Sequence, residues 1–342
     1  MIVLTATALA TFLIATALTP VLREIALRRS LLDNPNARSA HEVPTPRLGG
    51  VALALSFLGA AAAVSVRGGV EGSGPILACT ALIAALGLVD DLRPLPARLR
   101  LAMQLVCAAT VVAAAGPAWA EAHGVEGPVA WLAAVAGTVA IVWSTNLYNF
   151  MDGVDGLAGG QAVLAALGIA GAAALGSELG VVAMLVALAG ASAGFLVHNF
   201  PRARIFMGDA GSTAIGFFLG CTPLLAAGRS VPVASVLLAL ALFLLDATTT
   251  LVARILRGER WYEAHRSHWY QRPLALGVPH RRITATALAG MVPCAIAAAA
   301  WPVAPGPARG ALALIPLAIF LFMVAAVRRL EARGPIVQGS GR

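Results

Sequence analysis

The sequence has no lysine and little charge of either sign. Only 12% of its 342 residues are charged, and all 24 basic residues are arginine. Soluble domains carry about a quarter charged residues, so this composition excludes a globular cytosolic enzyme, a disordered chain and a coiled coil. The four cysteines lie singly in apolar stretches, which argues against a disulfide framework and against a thiolate zinc site. A GC-rich coding sequence explains the arginine bias more simply than any function does.

Long apolar runs make up most of the chain, since 59% of its residues are hydrophobic and the mean hydropathy is +0.84. A helix needs about 20 mostly apolar residues to cross the hydrocarbon core. Eleven such runs predict spans at about 2–20, 48–66, 74–89, 98–116, 128–147, 157–176, 179–198, 212–228, 231–253, 283–303 and 309–327. The first run lacks a basic n-region and a convincing cleavage site, so we expect a helix and not a signal peptide. The expected fold class is an all-α, polytopic helical bundle that forms one transmembrane domain over 1–342.

The arginines predict the orientation of the spans, because loops that stay in the cytoplasm carry an excess of basic residues. Alternate loops and the C-terminal tail hold 21 of the 24 arginines, whereas the opposite loops hold only Arg67, Arg229 and Arg309. We therefore expect the N-terminus outside and the C-terminus in the cytoplasm, with no nucleic acid needed to explain the basic charge. Twelve of the 16 carboxylates fall on the same face. The cytoplasmic loops are expected at about 21–47, 90–97, 148–156, 199–211 and 254–282.

Two adjacent acids, Asp90 and Asp91, stand at the end of the third predicted span, and Arg93, Arg98 and Arg100 follow them. Neighbouring carboxylates repel each other unless a cation relieves them. Two acids beside an apolar span therefore suggest a divalent metal site or a phosphate-handling site. The alternative is a solvated loop start.

A second acidic motif, Asn149-Phe-Met-Asp152-Gly-Val-Asp155-Gly, follows the fifth predicted span. Asp152 and Asp155 are spaced i and i+3 and can share one face, and the glycines permit a break in the helix. Irregular backbone at membrane depth is tolerated where it lines a cavity. The motif therefore predicts a pocket, and a plain polar turn is the alternative.

The third motif runs from Asn199 through Phe206 to Asp209 at the entry to the eighth predicted span. Asp209 stands between two small residues near a helix N-terminus, where backbone amides favour anions. This position suits a binding site. The alternative is that Asp209 or Ser212 simply caps the helix.

Asp246 lies inside the ninth predicted span, with Arg254 eight residues later on roughly the same face. An acid within a span marks a functional site or pairs with a neighbour, and the sequence leaves both interpretations open. The longest cytoplasmic loop follows and contains His265, Arg266 and His268. Arginine and histidine together suit a diphosphate, and a generic basic loop is the alternative.

Taken in order, these motifs resemble those of the polyprenyl-phosphate N-acetylhexosamine-1-phosphate transferases, glycosyltransferase family 4, of the MraY and WecA type. The resemblance covers about residues 30 to 282 and rests on Asp33-x-Pro35, Arg38, His41, Pro44-x-Pro46-Arg47-x-Gly49-Gly50, Asp90-Asp91, Asn149-x-x-Asp152-Gly-x-Asp155-Gly-Leu-Ala-Gly-Gly and Phe206-Met-Gly-Asp209-x-Gly-Ser. Each motif alone is weak, whereas the ordered set on one predicted face is specific. The eleven-span arrangement with its N-terminus outside is similar to the WecA branch.

The resemblance implies a Mg²⁺-dependent enzyme of the inner (plasma) membrane with its active site facing the cytoplasm, in which Mn²⁺ is expected to substitute. Undecaprenyl phosphate attacks the sugar-linked phosphorus of a UDP-sugar, which gives undecaprenyl-diphosphate-sugar and UMP and initiates a cell-surface polysaccharide. Two anions must meet, so a metal and arginines are needed to screen their repulsion. The implied partners are the UDP-sugar, the lipid phosphate and membrane lipid, and a homodimer is expected by analogy alone.

Carried over by position, the resemblance makes Asp209 the principal Mg²⁺ ligand. Asp90 and Asp91 lie beside it as further ligands or as groups that bind or deprotonate the lipid phosphate, and which of them is a base stays open. His268 completes the expected catalytic set. The expected substrate-binding residues are Asn149, Asp152, Asp155 and Asn199 around the nucleotide, Phe206 stacking on uracil, and His265 and Arg266 near the diphosphate.

One segment departs from the family pattern. The last loop reads His268-Trp-Tyr270-Gln271 where the family usually carries His-x-His-His or His-His-His. This argues against the peptidoglycan-precursor branch and resembles transferases that initiate O-antigen, lipopolysaccharide or other surface glycans, so the N-acetylhexosamine is left open. The alternative function is an ion- or metal-coupled transporter, which predicts acids near mid-membrane and access from both faces.

Overall fold

The computed structural model describes residues 1–33, 43–259 and 266–334, which fold into a bundle of helices. The α-helices are α1 (Ile2–Arg28), α2 (Gly49–Gly68), α3 (Ser73–Leu92), α4 (Ala97–Ala122), α5 (Gly127–Phe150), α6 (Leu157–Leu175), α7 (Leu179–Asn199), α8 (Gly208–Cys221), α9 (Val233–Ala239), α10 (Ala241–Leu256), α11 (Arg272–Ala275), α12 (His280–Ala300) and α13 (Gly306–Arg333). Turns of 3-10 helix follow α8 at Thr222–Gly228 and α12 at Trp301–Val303. Two short strands, β1 (Leu32–Asp33) and β2 (Thr45–Pro46), pair antiparallel with Leu32 opposite Pro46.

Ten helices of the described chain are long and apolar enough to cross a membrane when α8 is taken with its extension to Gly228. The pair α9 and α10 adds an eleventh candidate span, so the expected all-α membrane fold is confirmed. The ninth span differs from the continuous helix expected, because its axis bends by 74° at Leu240. Gln161 of α6 is fully buried and donates its Nε2 to the Ala239 carbonyl at 2.7 Å. This bond satisfies one of the carbonyls that a helix end leaves without an in-helix partner.

The centre of the bundle is formed by α6, α7 and α8. In the most apolar 18-residue stretch of each of these helices, 72% to 83% of the residues are buried, against 17% in α1, α5 and α13. Small residues make this packing possible, because a Cβ on Gly190 or Gly194 of α7 would collide with the backbone of α1. Close approach of small-residue faces is a common way for membrane helices to associate. The α8 helix, which carries Asp209, lies inside the bundle and packs against α2, α3 and α5.

Several expected site residues lie on helices and not in loops. α3 continues through Asp90 and Asp91, α5 includes Asn149, and α8 includes Asp209 in its first turn. The predicted spans end at the first polar side chains, whereas the backbone hydrogen bonds of a helix continue past them. The cytoplasmic loops are therefore shorter in the structure than the sequence predicted. The ends of the helices, and not flexible loops, determine the direction of these side chains.

Candidate active site

Three acidic residues and one arginine meet where α8 begins. The Arg100 Nη1 of α4 lies 2.6 Å from Asp90 Oδ2 and 3.1 Å from Asp209 Oδ2. Asp90 Oδ1 also accepts a hydrogen bond from the Leu95 amide at 2.5 Å. The structure thus brings together two of the predicted catalytic acids, which lie 119 positions apart in the sequence, and gives them a shared cation.

The third acid, Asp91, caps α8 from a different helix. Its Oδ1 accepts from the Asp209 amide at 3.0 Å, and its Oδ2 accepts from the Ala210 amide at 3.1 Å. Gly208 has a φ of +70°, and a Cβ there would lie 2.6 Å from Asp91 Oδ2. A carboxylate at a helix N-terminus is favoured by the helix dipole and by the orphan amides.

The sequence left open that Asp209 or Ser212 caps α8. Ser212 Oγ instead donates to the Gly208 carbonyl at 3.0 Å, and the Asp209 carboxylate turns to Arg100. Because Asp91 supplies the cap, Asp209 keeps its side chain available for another partner. Only the tertiary structure shows that Asp91 caps the helix while Asp209 faces Arg100.

A small cavity of about 40 Å³ opens beside the acids between α3, α4, α5 and α8. Its lining residues are Ile83, Leu86, Gly87, Arg100, Gln104, Asn146, Asn149, Phe150, Asp209 and Thr213. Asn146 Nδ2 donates to Gln104 Oε1 at 2.6 Å on one wall. Asn149, predicted to bind substrate, therefore shares a cavity with Asp209.

Arg100 and Gln104 were not assigned to the site from the sequence. A signal for them existed, because residues four apart on a helix share one face. Both positions are polar within the apolar α4. Their common face points toward the acids of α3 and α8.

Asp155 and Asn199 hold together the loops that frame the site. Asp155 Oδ2 accepts from the Ala203 amide at 3.0 Å, and its Oδ1 lies 3.2 Å from His280 Nδ1. Asn199 Oδ1 accepts from the Gly156 amide at 2.8 Å, and its Nδ2 donates to the Ile205 carbonyl at 3.0 Å. These two residues, both predicted to bind substrate, thus organise the ends of α5, α6 and α7.

Asp152 is in a different electrostatic state. It is partly buried in the loop between α5 and α6. Burial first, and then the charges of Asp91 and Asp155, raise the pKa of Asp152 to about 7. A carboxyl group in this state titrates near neutral pH and favours the approach of a cation.

The segment that departs from the family pattern packs onto the end of α5. His268 is 2% exposed, its Nδ1 lies 3.2 Å from Asp246 Oδ1, and its ring centroid lies 6.4 Å from that of Phe150. Tyr270 donates its hydroxyl to the Phe150 carbonyl at 3.1 Å. A Cβ on Gly153 would lie 2.5 Å from Gln271 Nε2, so the two loops are closely packed.

Arg266 and His265 were also predicted to lie near the diphosphate. Arg266 is exposed at the start of the described part of this loop. His265 lies outside the described residues, as do Arg38 and His41 of the first motif. Their predicted roles therefore stay predictions.

Phe206 stands three residues before Asp209, and its backbone contacts the segment that contains Pro46 and Gly49. Its amide donates to the Pro46 carbonyl at 2.8 Å, and its carbonyl accepts from the Gly49 amide at 3.0 Å. The Phe206 side chain is partly exposed. The backbone contacts explain why the segment around residue 46 belongs to the site, and the stacking of uracil on the ring stays a prediction.

Asp246 does not pair with Arg254 in the described structure. Its carboxylate accepts hydrogen bonds from Thr250 and from the segment 268–270. Arg254 Nη1 instead lies 2.7 Å from Glu259 Oε2. The interpretation of Asp246 as one half of a pair with Arg254 is therefore wrong.

The chain is similar in sequence to several known proteins. Residues 74–227 match the model of glycosyl transferase family 4. A decaprenyl-phosphate N-acetylglucosaminephosphotransferase of Mycobacterium tuberculosis is 35% identical over 301 residues, which cover 76% of this chain and 73% of the relative. A protein of Bacillus subtilis named "Probable undecaprenyl-phosphate N-acetylglucosaminyl 1-phosphate transferase" is 30% identical over 277 residues, which cover 77% of this chain and 75% of the relative. An undecaprenyl-phosphate alpha-N-acetylglucosaminyl 1-phosphate transferase of Yersinia pestis is 27% identical over 289 residues, which cover 79% and 77%.

Proposed function

This chain belongs to glycosyltransferase family 4, and from that premise we propose that it transfers N-acetylglucosamine 1-phosphate from UDP-N-acetylglucosamine to a polyprenyl phosphate. An oxygen of the lipid phosphate attacks the sugar-linked phosphorus, the diphosphate bond breaks, and UMP leaves. The product is a polyprenyl-diphosphate-sugar, the first intermediate of a cell-surface glycan. The sugar is proposed from the names of the relatives, since the sequence itself leaves it open.

The observation that carries this proposal is the convergence of Asp90 and Asp209 on Arg100 beside a cavity at the ends of the helices. Two anionic substrates repel each other, so their reaction needs cationic groups close to the phosphorus. Arg100 presents a planar guanidinium, which suits phosphate oxygens. The polar side chains that line the cavity, Asn146 and Asn149, can orient a bound substrate by hydrogen bonding.

The donor set fits Mg²⁺. Carboxylate oxygens are the ligands that Mg²⁺ prefers, and the ion is usually held by one or two carboxylates together with substrate phosphates. Asp90 Oδ2 and Asp209 Oδ2 both approach a single nitrogen of Arg100, so two such oxygens already converge on one cationic position. No group of three His, Cys, Asp or Glu side chains suited to a metal occurs among the described residues. This agrees with a site that the substrate completes.

We therefore propose Asp209 and Asp90 as the protein ligands of Mg²⁺, which when bound would polarise the diphosphate and stabilise the departing UMP. Asp91 directs both oxygens at the amides of α8 and would position Asp209, although the sequence also allowed it as a third ligand. Asp152, with its pKa of about 7, would face the nucleotide and accept a hydrogen bond from one of its N–H or O–H groups. His268 would act on the diphosphate from the side of Phe150.

The orientation of the protein follows from the arginine distribution. Because 21 of the 24 arginines lie on one side, we propose that the ends of α3, α5 and α7 and the start of α8 face the cytoplasm. UDP-sugars would then reach the site directly, and the lipid phosphate would enter from the inner leaflet. Assignment to O-antigen or lipopolysaccharide synthesis and formation of a homodimer stay predictions.

A transporter is a weaker explanation of the same acids. It requires ionisable groups near mid-membrane, whereas Asp90, Asp91 and Asp209 lie within two residues of helix ends. Asp246 is deeper in its helix, but its carboxylate is used by backbone amides and a histidine of the following loop. The relatives are also transferases by name.

The test is UMP release by the purified protein with UDP-N-acetylglucosamine, UDP-N-acetylgalactosamine and a modified UDP-sugar as donors. Undecaprenyl and decaprenyl phosphate serve as acceptors, with and without a chelator. Release that requires lipid and Mg²⁺ and prefers UDP-N-acetylglucosamine is expected. Release with another sugar would overturn the proposed donor, and silence of folded protein with every donor would overturn the proposed reaction.

A further inference from the structure

Asp246 is a fully buried carboxylate with an unusual set of partners. Its Oδ1 accepts from the Thr250 hydroxyl at 3.2 Å and from the Trp269 amide at 3.0 Å, and it lies 3.2 Å from His268 Nδ1. Its Oδ2 accepts from the Tyr270 amide at 2.9 Å. A buried charge is costly unless it is paired and hydrogen-bonded. Three of the four donors come from one short loop segment, so the carboxylate is used to hold that segment in place.

The bond to His268 determines which ring nitrogen carries a proton. A carboxylate accepts hydrogen bonds and cannot donate them when it is ionised, so Nδ1 must be protonated. The other nitrogen, Nε2, is then left to act as the acceptor in the neutral ring or as the donor in the cationic ring. The carboxylate also fixes the orientation of the ring.

The segment held by Asp246 reaches the candidate active site through Phe150. The rings of His268 and Phe150 are 6.4 Å apart and inclined by 29°, and the Tyr270 hydroxyl donates to the Phe150 carbonyl. Phe150 lines the same cavity as Asp209. The position of the His268 ring relative to the reacting groups thus depends on a residue in the bent ninth span.

We propose that Asp246 is the positioning residue for His268: it locks the Nδ1-protonated form and fixes the ring beside the cavity. The assignment of a catalytic consequence rests on the proposed phosphotransfer function. The protonation pattern of the ring does not rest on it and can be measured separately. Asp246 thereby gains a role that its sequence position alone did not reveal.

The first experiment is nitrogen NMR of the intact protein labelled in its histidines, recorded in nanodiscs above neutral pH. The resonances of His268 are assigned by their loss in His268→Asn. The expected result is a proton on Nδ1 in the unmodified protein and a shift of the tautomer toward Nε2 in Asp246→Asn. A proton on Nε2 in the unmodified protein would overturn the proposal, and this result does not depend on whether Asp246→Asn folds.

The second experiment measures kcat and KM for the donor in Asp246→Asn, Asp246→Glu and the control Arg254→Gln. We expect Asp246→Asn to lose at least about 30-fold in kcat, because loss of a partner that orients a functional histidine typically costs about 10- to 100-fold. The KM should change less than about threefold, and Asp246→Glu should recover part of kcat. Arg254→Gln should retain both kcat and the tautomer.

A fall in kcat of the same size in Arg254→Gln, or an unchanged tautomer in folded Asp246→Asn, would contradict the positioning role. If the tautomer changes as expected but the unmodified protein releases no UMP from any donor, the proposed function fails and the structural assignment of Asp246 stands. If UMP is released while His268 is protonated on Nε2, the reverse holds. The two proposals therefore fail in distinguishable ways.

Discussion

Replacing Gly87 by alanine tests whether the contact between α3 and α8 sets the position of Asp209. A Cβ on Gly87 would lie 2.5 Å from the carbonyl carbon and oxygen of Asp209, and these atoms belong to a helix backbone that cannot rotate away. Ordinary contacts of a Cβ begin near 3.4 Å, so the two helices must separate by about 0.9 Å at this point. A misplacement on the order of 1 Å can cost about 100-fold in rate, and overpacking typically costs about 1–3 kcal/mol.

We therefore expect Gly87→Ala to fold with a lowered Tm and to lose roughly 100-fold in kcat for UMP release. Gly74→Ala is the matched control, because Gly74 lies on the same helix and a Cβ there meets nothing within 4 Å. The control should keep its kcat and gain slightly in stability, since alanine is the better helix former. Turnover of Gly87→Ala within threefold of the control would refute the reasoning, as would an equal loss in both variants.

Three further predictions concern the acids and their cation. Asp209→Asn should abolish UMP release while the protein stays folded in membranes, and near-normal turnover would contradict its assignment as a metal ligand. Arg100→Gln leaves Asp90 and Asp209 without their shared cation, so the Tm of the variant without metal should be lower than that of the unmodified protein. Addition of Mg²⁺ should raise the Tm of the variant more than that of the unmodified protein. An equal rise in both proteins would argue against a metal at this position. For Asp152, the folded pKa of about 7 exceeds the unfolded value, so ionisation removes stability as the pH rises from about 4 to about 7. Without substrate or metal, Asp152→Asn should be more stable than the unmodified protein at pH 8, by up to about 4 kcal/mol from the linkage relation. The difference in Tm between the two proteins should shrink toward pH 5. A variant of equal or lower stability at pH 8 would show that ionisation of Asp152 does not destabilise the folded protein.

The sequence alone predicted the membrane fold and the number of candidate spans. The reason is physical: a span must bury about 20 apolar residues and satisfy its backbone internally, so each helix leaves a continuous hydrophobic run. The third predicted span is short and the sixth is rich in glycine and alanine. Both still form helices, α3 and α6, because a helix makes its backbone hydrogen bonds within itself. The bend at Leu240 left no comparable signal.

The acids of the site were also predicted from the sequence, because carboxylates are rare and costly near apolar spans. Their individual roles were not. Asp91 and Asp209 are both acids near helix ends, and only their contacts distinguish a cap of α8 from a carboxylate that faces Arg100. The sequence suggested a pair of Asp246 with Arg254 on the same helix, whereas three of its four hydrogen-bond donors come from a loop more than 20 residues away.

The sequence by itself determined which stretches are long and apolar enough to span a membrane and which residue types are available for phosphate chemistry. The tertiary structure decided which of those residues meet: Arg100 with Asp90 and Asp209, and His268 with Asp246. Hydrophobic periodicity is a local property, so it can be read along the chain. A hydrogen bond between residues on different helices depends on how closely those helices pack, and at α3 and α8 that distance is set by a glycine against a backbone.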